Sequence, residues 1–279
     1  MDAARGRAIM QRMMPMDSWP GLLGVLGRSA LRWLAGWWRA IHGGAELLVL
    51  MVSPSSYRAT ARSALLRQVV LATAPHLLWF TVLIALLSVV LIRIVVVTAL
   101  SYGLSQYALE MVVRVLVLEL IPLSAALFVS VRYAIPGGSE LYKLRQRGGF
   151  DAQRAQGLDP LQHEVLPRAL AGIFSVLLLA SLTCVIALVL AYLTVYGFSP
   201  WGFAAYTRVV GHVFNPAVTL IFTLKTLLFS LAVALMPLTT ALQDLPRPVS
   251  RASIELQGLI RMFAVLLLVE VASLIGNYY

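Results

Sequence analysis

Apolar residues fall in long unbroken runs along this chain, and polar residues are confined to the gaps between them. A hydrocarbon core about 30 Å thick takes roughly 20 apolar residues to cross as a helix, and several runs reach that length. The pattern predicts a first span over 69–91, possible to extend past Arg93 to Leu100, and a second over 111–135. A third covers 169–196, a fourth 216–238 and a fifth 259–275. The runs are continuous rather than alternating, which argues against a β-barrel. The expected fold is all-α: a polytopic membrane protein with about five transmembrane helices.

Ahead of the spans, residues 1–17 read as a loose basic tail and Ser18 as a helix cap, with Pro20 tolerated in the first turn. From Trp19 to about Val52, Trp33, Trp37 and Trp38 are interleaved with Arg28, Arg32 and Arg39. That mixture suits the headgroup layer, where an indole is half buried and a guanidinium stays wet. The region 18–68 is therefore expected to hold an interfacial helix, a break at Ser53-Pro54-Ser55-Ser56 and a basic elbow helix from Tyr57 to Gln68. The five-span domain occupies 69–279, with polar connections at 136–168 and 239–258.

Composition agrees: 60% of the 279 residues are hydrophobic and 12% charged, against roughly 45–50% and about 25% in soluble domains. The net charge of +10 is unevenly placed, with nine arginines before residue 69 against Asp2, Asp17 and Glu46. Basic residues beside apolar spans anchor to anionic lipid and set topology, and no nucleic-acid-binding motif accompanies them, so no nucleic acid partner is expected. Lys143, Arg145, Arg147, Arg154 and Arg168 lie in one connection and Arg247, Arg251 and Arg261 in or beside another. The opposite side holds only Arg208. The positive-inside rule then places the N-terminus in the cytoplasm and the C-terminus in the periplasm of a bacterial inner membrane. No cleavable leader pattern follows the basic start. Cys184 is the only cysteine and reads as a small core residue, with no metal-ligand spacing around it.

Charges inside spans are costly and are functional candidates by default. Arg93, Arg114, Glu119, Arg132, Lys225 and Glu270 form that set. Arg132 and Glu270 lie close enough to the span ends to be read as snorkelling. Arg93 either faces a polar cavity or snorkels to the periplasmic surface; both readings stand. Arg114 and Glu119, five apart, do not share a helix face and would meet partners on other helices. Pro75, Pro122, Pro216 and Pro237 fall in or near helices and predict kinks.

The chain has no phosphate-binding G-x-x-x-x-G-K-[ST] and is not itself expected to hydrolyse ATP. Gly103-Leu104-Ser105-Gln106, with His163 and His212 elsewhere, has the shape of an intramembrane serine protease, a remote alternative because the pattern is short. Residues 150–161 read as a short polar helix, with Asp151 near its positive end, Gly157 as its stop and Asp159-Pro160 as the following turn. A charged helix between two spans is what docking a cytoplasmic partner requires; an ordinary solvated connector is the other reading.

The same stretch resembles the MlaE permease family, whose loop reads approximately E-Q-I-D-A-L-R-A-L-G-V-D-P followed by V-P-R-x-L-A-G. Phe150-Asp151-Ala152, Arg154-Ala155, Gly157, Asp159-Pro160 and Pro167-Arg168-Ala169-Leu170-Ala171-Gly172 fall in register with it. Upstream, Leu118-Glu119-Leu120-Ile121-Pro122 is similar to the family's R-E-L-G-P, and Arg132 and Glu140 keep the spacing that follows. Val249-Ser250-Arg251-Ala252-Ser253 resembles its G-x-x-R-A-T. The resemblance implies an ABC-type lipid transporter permease that works as a dimer with a second permease protomer. It also implies a separate ATPase subunit carrying ATP and Mg, an MCE-domain periplasmic protein and often a small STAS-domain protein, with no cofactor or metal on this chain and no catalytic residue. By the same analogy Glu140, Arg145, Asp151, Arg154, Gly157, Asp159 and Pro160 would serve ATPase coupling. Arg93, Arg114, Glu119 and Pro122 would line the path of membrane lipid. Gly148 and Gly149 replace the family's Glu-Gln, Ile121 replaces its glycine, and Leu245-Pro246-Arg247-Pro248 replaces a glycine-rich approach to span five. These departures leave open a non-transporting scaffold or a heterodimer partner within the same complex.

Overall fold

In hydrocarbon a backbone amide finds no water, so a spanning chain satisfies its own hydrogen bonds by coiling into helices. The computed structural model describes residues 19–53, 59–243 and 251–278, and among them every regular element is a helix. Five helices are long and apolar enough to cross a membrane: 65–101, 107–146, 161–196, 216–242 and 252–277. The chain is an all-α polytopic membrane protein.

The chain divides into two units, Met1–Gly43 and Gly44–Tyr279. Helix α1, Trp19–Val52, begins in the first, where Trp38 and Arg39 are exposed. The tail 1–17, Ser18 and the side chains of Arg28, Arg32 and Trp33 lie outside the described residues. So do Pro54, Ser55 and Ser56 of the predicted break and the stretch 244–250.

In the second unit, α2 (Ala59–Ser101) runs unbroken from the elbow into the first span. Phe80, Ile84, Ser88 and Ile92 are buried at four-residue spacing, while Leu78, Trp79, Leu86 and Ile94 face outward. That spacing lays one stripe of an otherwise apolar helix against its neighbour, α7 (Leu166–Tyr196). Ser175 adds an Oγ–H donated to the Ala72 carbonyl at 3.3 Å. Helix α7 packs in turn on α9 (Pro216–Leu242), and α9 on α10 (Arg251–Tyr278).

The second crossing is a chain of shorter pieces. α3 (Ser105–Val112) leads into a π-helical stretch, Val113–Leu120, then α4 (Ile121–Val129), a π-turn, Ser130–Ala134, and α5 (Ile135–Gln146). In its most apolar window 61% is buried, against 22% for the first span and 28% for the fifth. The second crossing is the centre, and the outer two turn their apolar faces to lipid.

This crossing departs from the sequence expectation of a span ending at Ile135 and a loop opening at Pro136. The helix continues through Gln146, because the π-turn bonds the Ile135 amide back to Ser130 and carries the helical register past Pro136, which has no amide to donate. Leu141 and Tyr142 of α5 then bury with Phe150, Val165 and Leu238. The remaining connection holds α6 (Gly149–Ala155) and a π-turn, Leu161–Val165, that opens the third crossing. An unforeseen helix, α8 (Phe203–Val213), follows α7. Tyr206 anchors it by donating to the Leu188 carbonyl at 2.8 Å; burial pushes that hydroxyl up to about 12, so it remains a donor at neutral pH.

Small residues set how closely helices approach. A Cβ on Gly138 of α5 would stand 2.9 Å from the Pro237 carbonyl oxygen, and one on Gly258 of α10 3.5 Å from the Pro237 Cα. α9 is thus gripped at Pro237 from two sides, the kind of contact that holds helices together where lipid removes the hydrophobic drive. Gly138→Ala is expected to destabilise by roughly 1–3 kcal/mol through overpacking, read as a lower melting temperature in detergent. Gly137→Ala, with nothing within 4 Å of its Cβ, should leave the melting temperature unchanged or raise it.

Candidate functional site

Pro122 starts the site. Having no N–H, it leaves without an amide donor the Leu118 carbonyl of an α pattern or the Val117 carbonyl of a π pattern. The π pattern is real here, since the Ile121 amide bonds to Leu116. Both carbonyls meet side chains from other crossings: Cys184 of α7 donates its thiol to Val117 at 3.7 Å, and Lys225 of α9 donates to Leu118 at 3.4 Å. A π-helical stretch inside a crossing often marks a functional position.

The same stretch turns Glu119 inward. Lys225, whose side chain is 1% exposed, donates to Glu119 Oε2. Glu270 Oε2 of α10 stands 2.9 Å from the ammonium, an ion pair without an aligned hydrogen bond. Asn277 donates to the other Glu119 oxygen at 3.5 Å, and the Phe229 ring lies 5.7 Å from the ammonium. Three crossings therefore meet at one buried cation. Glu270, Ser273 and Asn277, three and four residues apart, share one face of α10. Among the described residues, Glu270 Oε2, Ser273 Oγ and Asn277 Oδ1 are buried without an aligned hydrogen-bond partner. One ammonium facing two carboxylates and further acceptors leaves a surplus of acceptors along this face.

The sequence candidates sort accordingly. Glu119 and Pro122 belong to the cluster. Arg114 does not; it pairs with Glu110 one turn away at 3.0 Å. Arg93 and Arg132 are exposed. Glu270, read as snorkelling, instead turns inward onto Lys225.

At the other end of α9 lies the charged connection. Arg145 donates to the Leu242 carbonyl at 2.5 Å, capping the last turn of α9 from α5. Phe150 buries α6 into the core, and Gln153 ties it to Glu164 at 3.1 Å. Asp151 and Arg154 point out, 3.8 Å apart, with side chains 82% and 68% exposed. Gly157 ends the segment with φ of 76°, a left-handed conformation that suits glycine. The Asp159 carboxylate then accepts from the Leu161 amide at 3.0 Å, Pro160 is buried and Glu140 is exposed. The connection is a packed shelf that turns Asp151 and Arg154 outward.

The family model described as Permease MlaE matches residues 65–275, which takes in all five crossings, the connection and the Glu119–Lys225–Glu270 cluster. The chain belongs to the MlaE permease family. It is a transporter membrane subunit that works within an ABC transporter alongside other subunits. A search of curated proteins found no match.

In the permease, the two histidines of the protease alternative lie far apart. His163 opens the third crossing and His212 lies beyond its far end, separated by the 31 residues of α7, about 45 Å at 1.5 Å per residue. The Ser105 side chain lies outside the described residues.

The permease's site was half visible beforehand. The signal was opposite charges on different crossings, Glu119 and Lys225; Asn277 gave none, being an uncharged residue near a helix end. Removing one member of a buried ion pair costs about 3–5 kcal/mol, whereas removing all of its charges is often neutral. Lys225→Met should therefore lower the melting temperature of the permease markedly. Adding Glu119→Gln and Glu270→Gln to it should recover most of the loss.

Proposed function

We propose that the permease moves phospholipid, or a related hydrophobic molecule, between the inner membrane and the periplasm, driven by ATP hydrolysis on a separate ATPase subunit. One observation carries this reading: α9 is held by Arg145 of the charged shelf at its end and carries Lys225 17 residues earlier, counting from Leu242. That is about 25 Å of helix, stiff enough to transmit a displacement. The ATPase grips the shelf through Glu140, Asp151 and Arg154, with ATP and Mg bound on that partner. Nucleotide-driven movement of the shelf shifts α9, and the population of cluster states shifts with it. Glu270, Ser273 and Asn277 offer acceptors to a passing polar headgroup, while acyl chains follow the outward apolar faces.

The basic residues of the connections support an orientation with 147–165, 243–251 and the N-terminus on the cytoplasmic side and the C-terminus in the periplasm. In this reading a second protomer completes the lipid path. An MCE-domain protein receives the lipid on the periplasmic side, and a STAS-domain protein accompanies the ATPase.

The test uses the complex reconstituted in liposomes. Asp151→Ala combined with Arg154→Glu should reduce permease-stimulated ATP hydrolysis by about fivefold or more, as well as lipid transfer. Glu119→Gln should keep the ATPase bound and slow transfer of a fluorescent phospholipid. ATP hydrolysis and transfer that are unchanged in both variants refute the proposal. In intact cells, a cysteine replacing Arg154 should react only with membrane-permeant reagents.

A further inference from the structure

The end of the bundle opposite the shelf carries a feature that the transport reading does not use. Phe198 and Trp201 are each 92% exposed, the highest value among the large exposed hydrophobic side chains described. They stand on the connection between α7 and α8, and that connection is built to hold them. Gly197 adopts φ 64° and ψ −146°, a conformation essentially reserved for glycine, and turns the chain out of α7. Tyr192 then donates its hydroxyl to the Ser199 carbonyl at 2.5 Å. Pro200–Gly202 forms a single 3₁₀ turn. The Tyr196 ring lies on Gly202 so closely that a Cβ there would sit 2.5 Å from it. Beneath, Tyr192 packs edge-on against Phe203 and Tyr206, with centroids 6.1 and 5.2 Å apart. The two exposed rings are displayed by a packed aromatic base.

Charge and continuity say what meets them. No charged residue occurs between Arg168 and Arg208, so the tip has nothing with which to steer or orient a charged protein surface. The outward side of α7 is already a lipid-facing surface, with Val185 59% and Val189 52% exposed, and it leads directly to the tip. Phe203, 60% exposed, carries the apolar surface into α8. At the same end, Tyr102 and Tyr107 are 77% and 48% exposed around the turn between α2 and α3. Tryptophan and tyrosine collect at the headgroup level, where one edge of the ring is apolar and the other wet.

We infer that residues 197–203 form a rigid aromatic wedge seated in the headgroup–acyl boundary of the leaflet on that side, with α8 lying along the membrane surface behind it. The inference rests on the five crossings alone and survives if the transport reading fails. The experiment uses the full chain, with whatever subunits accompany it, in nanodiscs of zwitterionic and anionic phospholipid. In a Cys184→Ser background, Phe198→Cys and Trp201→Cys are each spin-labelled, with Arg154→Cys as the aqueous control. Because both native side chains are almost fully exposed, the replacements keep the parent fold, checked by melting temperature. Oxygen should reach the labels at 198 and 201 better than a water-soluble nickel chelate, and the oxygen-to-chelate ratio there should be several-fold above that at 154. Chelate dominance at either tip position overturns the inference by placing the tip in water. Exclusion of both reagents overturns it by placing the tip against protein.

Discussion

Hydrocarbon supplies no hydrogen bonds, and the second crossing meets that condition with two prolines in its path. Pro122 and Pro136 each remove an amide from a helix that must keep its carbonyls satisfied. The chain answers with two π-helical insertions, which pass each helical register over the missing donor. At Pro136 this extends the helix by more than two turns beyond the expected boundary. At Pro122 it leaves Val117 and Leu118 to be met by Cys184 and Lys225 from other crossings. The polar cluster is a consequence of that second solution: the donor that reaches the Leu118 carbonyl is also the cation that Glu119 and Glu270 neutralise.

Around that point the permease is assembled by contact rather than by hydrophobic drive. Lipid tails are as apolar as the leucines they would replace, so close approach and polar links must do the holding. α9 receives both. Gly138 and Gly258 admit Pro237 from two sides, a Cβ added at Gly172 would stand 3.3 Å from that of Ala234, Lys225 binds two crossings, and Arg145 caps its end. A helix held at so many points moves as a body, which is why one rigid element can link the shelf to the cluster in the proposed mechanism.

The two ends of the bundle are chemically unlike. One presents Asp151 and Arg154 on a short helix pinned by Phe150, a surface that suits a water-soluble partner. The other carries an uncharged aromatic tip, with Phe198 and Trp201 raised on a tyrosine base. The proposed roles of gripping an ATPase and seating in lipid follow this division, and neither end has the chemistry to exchange roles with the other.

Much of this was legible in the residue order. Continuous apolar windows determined the five crossings, because crossing length is a property of the chain and of the bilayer thickness alone. Gly157 announced the end of the short helix in the charged connection, because only local backbone conformation is involved. The loop and C-terminal motifs pointed to the family. Glu270 shows where such reading stops: its position near a helix end allows a side chain to reach water, and only the packing of α10 decides that it faces Lys225. Tertiary structure likewise decided that Pro136 extends a helix, that Arg114 stays with Glu110, and that an uncharged loop forms a rigid aromatic tip. In each case the outcome depends on which face of a helix meets which neighbour. An almost uniformly apolar sequence leaves that choice to be made by shape and by a few buried charges.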